Sequence, residues 1–178
     1  MFNDLLATLK VFVEERGWLS YHSPRNMATT LIVETSELFE HFLPGATFPR
    51  EELEHELGDV LHCILLTMES LRIDPPTALI DYKGSGNLIL DLSKTLRTFM
   101  DHFSWLKDNE PYRGDINELT HLLQELLTIH ILLCKQLGID PFKASHKKLE
   151  LNRKKYPADL VKGSVENYYA PKKSLQKK

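Results

Sequence analysis

Six stretches of this chain carry apolar residues at steps of three and four, and none carries the two-residue alternation of a half-buried strand. That spacing lays an apolar stripe along one face of a helix and obliges helix to pack on helix, so the sequence specifies an all-α fold. Leu5, Leu6, Leu9, Val11, Phe12 and Val13 make the first segment, which ends near Gly17. Pro24 opens a second that runs to about Leu43, and Pro44-Gly45-Ala46-Thr47-Phe48-Pro49 is a turn. A third segment covers about 50–73 and stops before Pro75-Pro76; Lys83-Gly84-Ser85-Gly86 reads as a flexible link. Three more follow at about 87–106, 116–137 and 141–155.

The segments repeat. Leu71-Arg72-Ile73-Asp74-Pro75 recurs as Leu137-Gly138-Ile139-Asp140-Pro141, each time directly after a long apolar helix. Leu31-Ile32-Val33-Glu34-Thr35-Ser36 matches Leu88-Ile89-Leu90-Asp91-Leu92-Ser93, and Lys83 to Asn87 matches Lys148 to Asn152. Two copies are too few for a solenoid, so the expected architecture is a duplicated antiparallel helix hairpin packed on itself, a helical bundle. Copy one spans about 25–83 and copy two about 87–157, within one domain at 1–157. The second copy is degenerate: Asp91 stands at the place of Glu34, Lys94 replaces Glu37, and Leu122 and Glu125 fall where Glu56 and Asp59 stand in the first.

Charge divides the chain unevenly. Residues 143–178 hold eleven Lys and Arg against three Asp and Glu, while residues 1–142 hold eleven against twenty-two. The basic excess ends in a tail at 158–178, whose last stretch, residues 170–178, has no interleaved aromatics and reads as a solvated segment and not as a nucleic-acid interface. No run approaches the ~18 apolar residues of a spanning helix, so no membrane is expected as partner. The N-terminal segment carries Asp4, Glu14 and Glu15 instead of a basic leader, and Cys63 and Cys134 lie inside apolar runs. The expected location is the cytoplasm.

Part of the excess acid lies where acid should not be. Met27, Leu31, Glu34, Leu38 and His41 share one ridge of the second segment, so Glu34 interrupts an apolar stripe. On the third, Glu56, Val60, Cys63 and Thr67 share a ridge, with Asp59 one turn from Glu56. A hairpin centred between residues 46 and 47 sets Glu37 opposite Glu56 and Glu34 opposite Asp59, the two pairs ~4.5 Å apart along the axis. Four carboxylates at one level repel one another unless cations lie between them. All-oxygen ligands suit Mg²⁺, with Mn²⁺ as a substitute, and such ions bind phosphate oxygens, which makes a phosphoanhydride the expected substrate.

These residues carry a resemblance. Trp18-x-x-x-His22-x-Pro24-Arg25-Asn26, Glu34-x-x-Glu37-x-x-Glu40, Glu56-x-x-Asp59 and Lys148-x-x-x-Asn152 with Tyr156-Pro157 resemble the MazG-like all-α nucleoside triphosphate pyrophosphohydrolases, in particular their dCTP pyrophosphatase branch. The resemblance covers about 10–83 and 122–157. It implies hydrolysis of a (deoxy)nucleoside triphosphate to the monophosphate and pyrophosphate with Mg²⁺. It further implies metal ligation by Glu34, Glu37, Glu56 and Asp59, catalytic work by Glu37 and Glu34, phosphate contact by Lys148 and Asn152, and a base side at Trp18 and His22. It implies a homodimer of such pseudo-dimeric chains. The chain departs from the family where a tryptophan often ends the second helix; here it reads His41-Phe42-Leu43.

Two alternatives accompany this reading. Glu52-x-x-His55 and Glu118-x-x-His121 have the spacing of a di-iron carboxylate bundle. A catalytically inactive nucleotide sensor or scaffold on the same fold is the other. His41, His62, His102, His130 and His146 are read as packed or surface imidazoles.

Overall fold

The computed structural model describes residues 1–107 and 110–162; residues 163–178 of the expected tail lie outside it. The described residues form helices α1 (Phe2–Glu15), α2 (Pro24–Glu40), α3 (Arg50–Ser70), α4 (Leu88–Asp101), α5 (Ile116–Gln136), α6 (Pro141–Lys155) and the short α7 (Ala158–Val161), with a 3₁₀ turn at Leu19–Tyr21 and no strand. The fold is all-α, as the spacing predicts. α2 and α3 form one hairpin and α4 and α5 the other; α3 also packs against α1, α5 and α6. No single helix among the described residues is long and apolar enough to cross a membrane.

Helix starts follow from side-chain oxygens that accept otherwise unpaired amides. Ser23 caps α2, Asn87 caps α4, Asp115 caps α5 and Asp140 caps α6, with Pro24 and Pro141 in the first turns they suit. Helix ends repeat across the two hairpins. The Ile73 amide returns to the Met68 carbonyl and the Ile139 amide to the Cys134 carbonyl, each at 2.9 Å, with both isoleucines buried. This closure needs a left-handed residue, supplied by Gly138 at φ +64° and by Arg72 at φ +59°.

The repeat stops after Ile-Asp-Pro. Asp140 accepts from the amides of Phe142 and Lys143, at 2.9 and 3.0 Å, and α6 begins. At the matching place in the first half stands Pro76, which has no amide to give, and residues 74–87 contain no helix. Lys83 and Asn87 therefore do not repeat the work of Lys148 and Asn152: Lys83 is exposed and Asn87 caps α4. Nor is the glycine-flanked link slack. Ser85 donates to Asp91 through its amide (2.9 Å) and its hydroxyl (2.7 Å), so protein donors hold the buried carboxylate that replaces Glu34 in the second half.

The segments also end differently from their sequence limits. α2 stops at Glu40 and α4 at Asp101, short of Leu43 and Leu106, and Phe103 folds back onto Phe99 with ring centroids 5.0 Å apart. The first four residues of the expected tail form α7, and Val161 is fully buried.

Candidate active site

From Leu57 to Met68 every residue of α3 is buried except Asp59 and Leu66. Those two share a stripe with His62 and Cys63, at steps of three and four, and all four line a cavity of about 710 Å³. α1, α2 and α6 complete its walls. The cavity has two chemically distinct ends. At one, Trp18 lies edge-on between Phe12 and Tyr156, with ring centroids 5.8 and 5.5 Å away. At the other stand the acids.

Glu34 of α2 and Glu56 and Asp59 of α3 offer carboxylate oxygens that all lie within 4.8 Å of one another. Of the four acids that hairpin register sets at one level, three meet here, Glu34 and Asp59 among them. Glu37 stands outside that group, exposed at the cavity wall, yet close enough for its charge to act on both glutamates. Burial, followed by the charges of Asp59, Glu37 and Glu56, pushes the Glu34 carboxyl up to about 7. Glu56 is also raised, first by burial, and its Oε2 is buried without a hydrogen-bond partner. A buried carboxylate oxygen with no donor, beside two more acids, fits a divalent cation in both charge and ligand chemistry. Among the described residues this is the single such group, and the two Glu-x-x-His pairs form none.

α6 supplies the positive side. Lys148 Nζ lies 2.5 Å from Asp59 Oδ2, and Asn152 Nδ2 donates to Asp59 Oδ1 at 3.4 Å. Burial pulls the Lys148 ammonium down, but Asp59, Glu56 and Glu34 outweigh it and hold the group above its ordinary value. The approach of α6 depends on Gly58, where an added Cβ would lie 2.9 Å from Lys148 Cβ and 3.0 Å from the Ala144 carbonyl oxygen. Arg16 pins the far end of α6: its Nε donates to the Tyr156 carbonyl at 2.8 Å, and its guanidinium lies 3.7 Å from the centre of the Phe12 ring.

Of the residues expected from sequence, Trp18, His22, Glu34, Glu37, Asp59, Lys148 and Asn152 all line the cavity, and Glu56 joins through the carboxylate group. Burial lowers His22 to about 4, so the ring is neutral near pH 7. His62 is the residue the sequence reading passed over. It lines the cavity, lies 3.8 Å from Asp59 through Nδ1, and is held at about 4, mainly by burial. Its signal was the three-residue step from Asp59. Lys155 also reaches the cavity wall.

Comparison with known proteins finds dCTP pyrophosphatase 1 of Bos taurus and of Homo sapiens, each 35% identical over 79 residues. The match covers 39% of this chain and 47% and 46% of those proteins, so the chain spans about half the length of the curated relatives it matches. No family model matches the chain, and no solved structure does. With the acidic group now located between α2 and α3, the resemblance stands on both motif and identity: this chain is similar to the dCTP pyrophosphatase branch of the MazG-like proteins.

Proposed function

We propose that the chain hydrolyses nucleoside triphosphates to the monophosphate and pyrophosphate with Mg²⁺, or Mn²⁺ in its place. The observation that carries this reading is one cavity lined by Glu34 and Asp59, which with Glu56 form a group of three carboxylates within 4.8 Å, by Lys148 and Asn152 beside them, and by an aromatic wall. The order matches a triphosphate joined to a planar base, the charged part against α3 and α6 and the base toward Trp18.

Glu34, Glu56 and Asp59 would hold the cation, with Glu37 as a fourth ligand from the exposed side. Such an ion, when bound, polarises phosphoryl oxygens and offsets their charge. Lys148 adds a fixed positive charge against the phosphates, and Asn152 donates hydrogen bonds at the same level. Glu37, the acid most open to solvent, orients the attacking water and accepts its proton, with Glu34 as the second candidate. His22 is neutral and so contacts the base as a hydrogen-bonding ring and not as a cation. The same reading takes free nucleotide, and neither nucleic acid nor a membrane, as the partner; the chain acts in the cytoplasm as a homodimer, which light scattering checks as twice the chain mass.

Pyrophosphate release from a panel of canonical and modified deoxynucleoside triphosphates tests the proposal. The wild type should yield monophosphate, and Glu37→Ala and Glu56→Ala should each lose at least ~10²-fold in kcat. Cation-dependent nucleotide binding without turnover on any substrate would replace the enzyme by an inactive sensor on the same fold.

A further inference from the structure

Asp59 takes both of its close donors from another helix, Lys148 and Asn152 of α6. Apolar contact between α3 and α6 brings the helices together but fixes rotation and sliding poorly, because burial has no direction. A directional bond is present on the same stripe. His62 Nε2 lies 3.1 Å from the Ser145 carbonyl oxygen, in the buried seam between the helices. A carbonyl only accepts, so the imidazole proton is on Nε2 and the ring donates across the seam. Ser145, Lys148 and Asn152 follow one another at steps of three and four along α6, so the anchored residue sits on the line of the two donors. Gly58, one turn before His62 on α3, leaves the room that brings α6 close enough for this bond.

We propose that His62 is a positioning residue of this cavity: by gripping α6 at Ser145 it sets Lys148 and Asn152 over Asp59. The kinetic consequence rests on the hydrolase proposed above; the structural one does not.

Labelling of lysines by trinitrobenzenesulfonate, read by peptide mass spectrometry, tests the placement of Lys148 without reference to activity. Lys10, paired with Glu69 at 2.6 Å on the α1–α3 side, is the internal control. His62→Leu should speed labelling of Lys148 relative to Lys10 by roughly threefold to tenfold, the range one directional hydrogen bond supports. His62→Gln, whose amide N–H can reach the same carbonyl, should restore the wild-type ratio. Where the wild type turns over nucleotide, KM should rise by a similar factor in His62→Leu and recover in His62→Gln. Should the leucine variant fail to fold, His62→Asn, too short for the carbonyl, replaces it. An unchanged labelling ratio in the Leu or Asn variant, or a Gln variant that behaves like Leu, overturns the assignment. Absence of turnover in the wild type would instead sink the hydrolase reading, and the labelling ratio would still decide the role of His62.

Discussion

Glu34 carries an unusual burden for one side chain, being an acid on an apolar ridge that meets two further acids across a helix seam. Its carboxyl is raised to about 7 chiefly by burial, against an ordinary value of 4.5. The sign follows directly. The folded chain keeps a proton that the unfolded chain has lost, so this group favours folding below pH 4.5, and the advantage disappears as pH rises through 7. In a chelating buffer at pH 8 the ionised Glu34 therefore opposes the fold. Glu34→Gln should then raise Tm by roughly 3–5 °C in EDTA at pH 8 and make little difference at pH 5. Added Mg²⁺ should stabilise the wild type more than the variant, because a cation relieves the repulsion that the amide has already removed. Thermal unfolding at the two pH values, with and without Mg²⁺, checks this. A variant less stable than the wild type at pH 8 in EDTA would mean that Glu34 is held by donors and not by its neighbours' charge.

At the scale of helices, the two hairpins offer an internal control for backbone conformation. Gly138 and Arg72 end α5 and α3 with the same hydrogen bonds and nearly the same left-handed φ, but only glycine adopts it without a Cβ clash. Arg72→Gly should stabilise the chain by about 1 kcal/mol, read as a shift of the urea midpoint with an unchanged slope; a loss of stability would show that the Arg72 side chain holds something the glycine cannot. The same pair shows what was legible beforehand. Apolar spacing, broken by proline and glycine, located every long helix, since both signals are local to the helix itself. The meeting of Glu34 with Asp59 was legible because a short turn ties register to residue number. The arrival of α6 at the site was legible only through the resemblance that places Lys148 and Asn152 there; the means of its docking was not, because it depends on Gly58 leaving space and on His62 reaching a main-chain carbonyl. The missing counterpart of α6 was concealed for a related reason: a single proline at 76 removes the amide that its Asp would have capped.

The molecule as a whole buries histidine as well as acid, and the two act on stability in opposite directions. His62 and His130 are buried within the bundle and His22 lines its cavity; burial lowers each to about 4. A depressed histidine leaves the unfolded chain with more bound protons, so its contribution to stability is complete above the ordinary value of 6.5 and is lost as pH falls toward 4. At pH 5 each fully buried histidine costs on the order of 2 kcal/mol, a large part of the total stability of an ordinary domain. Glu34 moves the other way over an overlapping window, since its retained proton favours the folded chain there. The histidines outnumber it, so net stability in EDTA should fall between pH 7 and pH 5. In a Glu34→Gln background the fall should steepen, because the opposing group has been removed. Adding His130→Gln to that background should then reduce the difference in unfolding free energy between the two pH values by about 2 kcal/mol. His130 Nε2 lies 3.5 Å from the Cys134 sulfur, away from the carboxylate group, so this change leaves the cavity chemistry alone. Urea unfolding of the three proteins at pH 5 and pH 7 decides the matter: an equal pH dependence with and without His130 would show that this imidazole gains its proton without opening the fold.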